Sequence, residues 1–503
     1  MFADRSPSAP ARWAALFSCA LLTACASGVD HAPPSAGRAW EAPPPPAGWR
    51  TLAVQGPAAA ATPIDAEQEY NLAALIDLAQ RNNPATRLAW NQARQAASAV
   101  GLAESTYLPR LSASVITGRL ALDRRYQEVL GYRPELKSNI SGTDPILTME
   151  WLLFDFGMRS AASQAAQNLS LGANYLFNAA HQKLIFDVSR TYYEYGAARQ
   201  RTRISTAMLK NSQDVLEAVL AKRKSGLATT VEEAQARQLV AQARLQSTRS
   251  AGMERNAYQA LLDTLSLGPG TALRIADSTK AALPSHEQLP SASVLQQALA
   301  DRPDIMASIA ALKAAENAVD VADADFLPKV YMAGFYMGNH NDLSIGPASG
   351  LTSSGATRGI LLGVTMPLYD GGMRSSRLHD AKSRVQAAQA GLEKLRNAAM
   401  SEIVVASNLL DTSLESYDAA TSLVDTSKTT YDAAFEAYRL GMGTVTVATE
   451  AANGLLTARL ARNDAHAAAQ VAAVSLAFAL GRLDTVISHP AAEPASAGAG
   501  APR

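Results

Sequence analysis

From residue 157 to residue 224 the chain runs without a proline, and apolar residues recur along it at alternating spacings of four and three. Ala162, Ala166, Leu169, Ala173, Leu176 and Ala180 mark the start of this stripe. Such a period belongs to a helix packed lengthwise against another helix. At about 1.5 Å per residue the stretch makes a rod of roughly 100 Å. A second rod follows near the C-terminus. Leu378, Ala381, Val385, Ala388, Leu392, Leu395 and Ala399 keep the spacing, and Ile403, Ala406, Leu410, Ser413, Tyr417, Ala420 and Val424 resume it after one four-residue step. Helices of globular cores average about 12 residues. Rods this long need neighbours along their whole length.

The two rods belong to two copies of one unit. Pro84 and Pro109 recur as Pro303 and Pro328, both offset by 219 residues. Residues 153–160, Leu-Phe-Asp-Phe-Gly-Met-Arg-Ser, recur as residues 368–375, Leu-Tyr-Asp-Gly-Gly-Met-Arg-Ser, at an offset of 215. Lys224-Ser225-Gly226 matches Arg439-Leu440-Gly441 at the same offset. The change from 219 to 215 assigns four extra residues to the first copy, between its second proline and its aspartate. Each copy therefore has the order helix, strand, loop, strand, long helix, turn, helix. Pro84 and Pro303 suit a first helical turn, and Pro109 and Pro328 stop the helix before them.

The strands carry a membrane signal. Leu147, Met149, Trp151 and Leu153 alternate with Thr148, Glu150 and Leu152; Leu362, Val364, Met366 and Leu368 alternate with Gly363, Thr365 and Pro367. One apolar and one mostly polar face, in the same register in both copies, fits a lipid-facing barrel strand. Residues 121–143 and 341–357, rich in Gly, Ser, Asn and charge, are expected to be exposed loops. Four strands cannot close a barrel, and an open edge in lipid leaves backbone groups unpaired. The chain must therefore assemble with itself. Three copies supply about twelve strands, within the range of outer-membrane barrels, together with enough rods to wall a tube.

Lys and Arg number 45, as do Asp and Glu, which gives no basic surface for nucleic acid. Cys19 and Cys25 are the only cysteines, so the body of the chain has neither disulfide nor thiolate metal site. Residues 1–24 have the charge and short apolar core of a signal peptide. Leu22-Thr23-Ala24-Cys25 resembles the bacterial lipoprotein signal, which makes Cys25 the expected lipidation site; a small-residue cleavage site with an incidental cysteine is the alternative. Ala26 rather than aspartate after it favours sorting to the outer membrane by the same resemblance. The Pro-rich residues 25–65 form a linker, residues 66–268 and 291–484 the two repeats, 269–290 their connector, and 485–503 a disordered tail. After the N-terminus no window approaches 18 consecutive apolar residues, so no helix is expected to span a membrane.

The body resembles the TolC family of outer-membrane efflux proteins. The resemblance rests on the paired proline segments, on residues 367–372 (Pro-Leu-Tyr-Asp-Gly-Gly), on Arg302-Pro303-Asp304 and on the turns at Gly226 and Gly441. With Cys25 it looks like the lipoprotein branch that partners multidrug pumps. It implies a homotrimer with a 12-stranded β-barrel, four strands per chain, continued by an α-helical barrel, a mixed α and β membrane protein. It also implies a periplasmic adaptor, an inner-membrane transporter of the RND or ABC type, a surround of outer-membrane lipid, and conduction of substrates by efflux or type I secretion. The tip turns, Gly226, Leu227, Gly441 and Gly443, are the implied adaptor-docking points. The family's inward aspartates correspond here to Val447 and Glu450, with Glu232 or Glu233 near the matching place after the first turn; a solvated charge is the alternative for Glu450. No cofactor, metal or catalytic constellation is indicated. His340 near Asp342 reads as a solvated loop pair, and Tyr192, Tyr193 and Tyr195 as helix packing. A periplasmic coiled-coil scaffold explains the rods but not the strands. A trimeric adhesin explains both but gathers its strands at one end of the chain. The cargo, whether drug, metal ion, dye or polypeptide, leaves no mark on the sequence.

Overall fold

The computed structural model describes residues 67–125, 135–284, 298–345 and 348–483, all within the unit Thr62–Arg503. The signal segment, Cys25, the linker, part of the connector and the tail lie outside the described residues. A short strand β1 (Glu69–Tyr70) and helix α1 (Leu72–Asn82) lead into the first repeat: α2 (Pro84–Ser105), β2 (Arg110–Arg125), β3 (Glu135–Phe154), α3 (Met158–Lys224) and α4 (Thr230–Thr264). Strand β4 (Arg274–Ile275) and a 3-10 turn, Ser278–Lys280, precede the second: α5 (Pro303–Ala324), β5 (Lys329–Ile345), β6 (Ala348–Thr365), α6 (Met373–Arg439) and α7 (Val445–Ala479). The duplication holds to the residue in the helices. α2 and α5 have 22 residues each, α3 and α6 have 67, and α4 and α7 have 35.

The strands are longer than their composition indicates. The expected loops 121–143 and 341–357 are largely strand: β2 pairs with β3 out to Arg125↔Glu135, and β5 with β6 out to Ile345↔Ala348. Polar composition reports what the side chains face, whereas a ladder needs only backbone partners. Hydroxyls add to it across the strands, as where Thr143 Oγ1 donates to Thr117 Oγ1 at 3.1 Å. At the other end β6 stops at Thr365 while β3 continues to Phe154. Pro367, which has no N–H to give a ladder, stands just beyond the end of β6.

The second rod buries its heptad stripe from Ala399 onward, at Ala399, Ile403, Ala406, Leu410 and Val424, while before that only Ala381 is buried and Leu378, Val385, Ala388, Leu392 and Leu395 are half-buried. The first rod's stripe is more open still. Leu169 and Leu176 are each 55% exposed, whereas Gly172, between them along α3, is buried. α5 approaches so closely there that a Cβ on Gly172 would lie 3.4 Å from that of Ala310. The stripe of α3 is thus left open by this chain.

Halfway along the rods α1, α3, α4 and the β1–β4 pair enclose a core of Leu75, Ile76, Val188, Tyr192, Tyr195, Leu261 and Ile275. The tyrosines are packing residues, as their pattern indicated, and burial pushes the Tyr192 hydroxyl up to about 12. The connector lies against α3 because position 196 is glycine; a Cβ there would overlap the Ser278 hydroxyl. Each repeat also ties the start of its shorter helix to the end of its 35-residue helix. Asn83 Nδ2 donates to the Thr264 carbonyl at 3.4 Å, and Arg302 Nη1 to the Ala479 carbonyl at 2.9 Å. Arg302 further bridges Asp304 and Glu402 at 2.8 and 2.9 Å, which gives the Arg302-Pro303-Asp304 motif a mechanical reason.

Candidate functional site

The four long strands form one antiparallel sheet in the order β2-β3-β5-β6. Residues directly opposite in such a ladder share a face, so the register sorts the side chains. Leu147 lies opposite Ala113 and Tyr336, Met149 opposite Leu111 and Gly334, and Trp151 opposite Met332. Met332 in turn faces Leu362, and Val330 faces Val364. Leu147, Met149, Trp151, Leu362 and Val364 therefore share one face, and Met366 continues the alternation just past β6. Leu147, Leu362, Val364 and Met366 are 48–71% exposed. The apolar run on β3, residues 145–151, spans about 20 Å, near the ~25 Å band of outer-membrane barrels. On β6 it ends at Arg358, opposite Tyr336. The other face carries Ser112, Thr148, Glu150 and Thr365, with Tyr331 lying over Gly363 and Phe335 over Gly359.

The sheet meets the rods at a buried ion pair. Asp155 Oδ2 accepts from Arg159 Nε at 2.8 Å, with the two side chains 6% and 8% exposed. The same guanidinium donates to the carbonyls of Thr106, Leu152 and Leu153 and lies 4.7 Å from the centre of the Tyr107 ring. One arginine thus satisfies the last carbonyls of β3 and the end of α2. In the second repeat Arg374 pairs with Asp370 at 2.6 Å and reaches the Pro367 carbonyl. The hydrogen bond from Arg374 holds the Asp370 carboxyl below the usual carboxylate range.

At the far end of the rods the tip glycines have left-handed backbones, Gly226 at φ +73° and Gly441 at φ +80°, the conformation that ends helices most cheaply on glycine. Leu227, Leu440 and Met442 project from the tips at 64–76% exposure. Gly443 sits where a Cβ would come within 3.2 Å of the Tyr438 amide. Behind the tips Val215, Val219, Ala236, Tyr438, Val445 and Ala448 form one core shared by α3, α4, α6 and α7. Lys222 Nζ bonds the Tyr438 carbonyl and lies 4.1 Å from its ring centre, tying the two hairpins together.

The expected gate residues divide into two sets. Val447 and Glu450 stand three apart on α7, both exposed. Glu232 is instead held in a capping box at the start of α4: its side chain accepts from the Thr229 amide at 2.7 Å, and its amide bonds the Thr229 hydroxyl. Glu233 is buried and pairs with Arg223 and with Arg237. Lys222 and Arg223 are marked in the sequence only by a basic last turn, which any helix C-terminus favours. His340 pairs with Thr143 and Ser354 in the ladder, and Asp342 accepts from Thr352. Among the described residues no group of three or more metal-ligating side chains occurs, and no helix is long and apolar enough to cross a membrane.

The sheet-and-rod arrangement has counterparts among known proteins. The solved channel CmeC of Campylobacter jejuni superposes with a TM-score of 0.68 at 22% identity, covering 82% of this chain and 85% of that one. Protein CyaE of Bordetella pertussis is 31% identical over 399 residues, 79% of this chain and 81% of its own length. The cation efflux system protein CusC of Escherichia coli K12 is 24% identical over 441 residues, 86% and 88% of the two chains. The family described as outer membrane efflux protein matches residues 75–266 and 294–482, one match on each repeat. The chain belongs to the outer membrane efflux protein family.

Proposed function

We propose that three copies of this chain close their sheets edge to edge into a barrel in the outer membrane, and that their rods continue it as a tunnel into the periplasm. The observation that carries this reading is the four-stranded sheet, with one apolar face and with β2 and β6 each lacking a second neighbour among the described residues. In lipid such edges cost several kcal/mol per unpaired group, and equivalent edges of neighbouring copies satisfy them. The open stripe of Leu169 and Leu176 on α3 gives the rods a contact of the same kind. The tunnel conducts passively, and energy and cargo selection come from an inner-membrane transporter of the RND or ABC type, joined through a periplasmic adaptor at the tips around Gly226, Leu227, Gly441 and Gly443. Acylation at Cys25 adds a lipid anchor, which wild-type protein would reveal by fatty-acid labelling and Cys25→Ser would lose; an unlabelled wild type removes the anchor from this account.

The tips narrow the tunnel, and Glu450 is the carboxylate of α7 there. Three copies around an aperture would favour cations, while Val447, three residues earlier, contributes no charge. Purified protein in planar bilayers should conduct, with cation selectivity that falls in Glu450→Ala together with block by multivalent cations. A protein that never conducts refutes the conduit. Conduction with unchanged selectivity in the variant places the constriction elsewhere.

A further inference from the structure

Beside the inter-repeat connector α3, α6 and α7 line an open pocket of about 290 Å³. That is well above the roughly 10–15 Å³ that one water needs on the same measure, and ample for a small anion. Its wall is basic. Arg459, Arg462 and His466 come from one side of α7, at spacings of three and four, with Gln200 from α3, Tyr417 from α6 and Thr279 from the connector. Among the described residues no carboxylate lines it.

Several other arginines of the helical body do have carboxylate partners. Arg199 and Arg203 pair with Asp277, Arg201 with Asp464, and Arg302 with Asp304 and Glu402. Among the described residues Arg459 and Arg462 form no ion pair with a carboxylate. They are half-buried, and their like charges stand one helical turn apart, a mutually repulsive arrangement. The surrounding wall is fixed in place. Asn463 Nδ2 donates to the Ala197 carbonyl at 3.1 Å, Gln470 Nε2 to the Ser278 carbonyl at 3.1 Å, and the His466 ring packs 5.3 Å from that of Tyr417. His466 hydrogen-bonds the Ala281 backbone, and burial lowers its pKa, with Arg462 acting in the same direction. At neutral pH the pocket therefore carries the two guanidinium charges.

We propose that this pocket is a binding site for a small tetrahedral oxyanion of the phosphate type, held by the Arg459 and Arg462 guanidiniums with Gln200 and Tyr417 as neutral donors. Paired arginine forks match tetrahedral oxygens in geometry as well as charge. The site lies in the helical part of the chain, away from sheet and tips, and it is independent of the conduit reading.

The test is thermal denaturation of the full chain in detergent, titrated with sodium phosphate and, at matched ionic strength, with sodium chloride. Phosphate should raise the midpoint along a saturable curve, because a ligand of the folded state stabilises it by mass action. Arg459→Gln and Arg462→Gln should each weaken the apparent affinity roughly tenfold or more, and the double variant should lose the saturable rise. In chloride the variants should melt no lower than wild type, since each relieves an unbalanced charge. Phosphate also stabilises proteins by exclusion from their surfaces, a rise that is not saturable and is common to all variants. A wild type with only that common rise overturns the site, as does a saturable curve unchanged in the single variants.

Discussion

Asp155→Ala is expected to destabilise the chain by about 3–5 kcal/mol, the cost of leaving one partner of a buried ion pair without its counter-charge. Arg159 would keep its carbonyl partners at Thr106, Leu152 and Leu153 but lose the group that neutralises it in a site where both side chains are under a tenth exposed. Its position makes the loss structural, because these bonds join the last residues of β3 to the first turn of α3. Asp370→Ala at the equivalent place should cost less. Asp370 is 19% exposed, so water can reach the Arg374 site more readily, and the turn after Asp370 has glycines at both left-handed positions, Gly371 and Gly372. The first repeat has Phe156 at φ +53° in the corresponding place, a conformation that a bulky residue adopts only under restraint. Thermal denaturation of both variants checks the ordering. Equal losses would mean that burial does not set the cost.

The second large effect is expected on the sheet. Met149→Arg places a charge on the apolar face and should cost ~2–4 kcal/mol at the middle of the bilayer. It also removes the thioether that covers Gly334, whose missing Cβ would lie 3.2 Å from the Met149 Cε. Thr148→Arg points to the other face and loses a 2.6 Å hydroxyl contact with Ser112, a cost of about 1 kcal/mol. Urea titration of the protein folded into liposomes separates the two. If Thr148→Arg proves as costly as Met149→Arg, the apolar face does not face lipid.

Much of this architecture is legible in the residues because it is periodic and repeated. Uninterrupted apolar spacing set the first rod at residues 157–224, and the helix runs over Met158–Lys224. The glycines at 226 and 441 marked the turns for the same reason that their backbones are left-handed. Alternation identified the apolar end of β3 but hid its outer half, where polar residues predominate, Leu120 opposite Ile140 is too little to set a pattern, and the backbone ladder declares the strand. Side-chain partners distant in sequence were the least legible. Nothing near Lys222 indicates that it reaches Tyr438, 216 residues on. The Asp155–Arg159 pair was visible as a motif present twice, but its burial depends on Tyr107 and the end of α2. Glu232 illustrates a local signal outweighed by a resemblance: Thr229 three residues before it spells a capping box, and the structure forms one.

In the proposed assembly β2 of one copy pairs with β6 of the next until three copies close. The body of the chain has no cysteine, so single cysteines introduced on β2, at Ala113, and on β6, at successive apolar-face positions from Ile360 to Val364, can be oxidised in the native membrane. In chains carrying both, one register should give a ladder of covalent species that ends at three chains. A ladder that stops at one chain, or one that continues past three, would contradict the closed trimer.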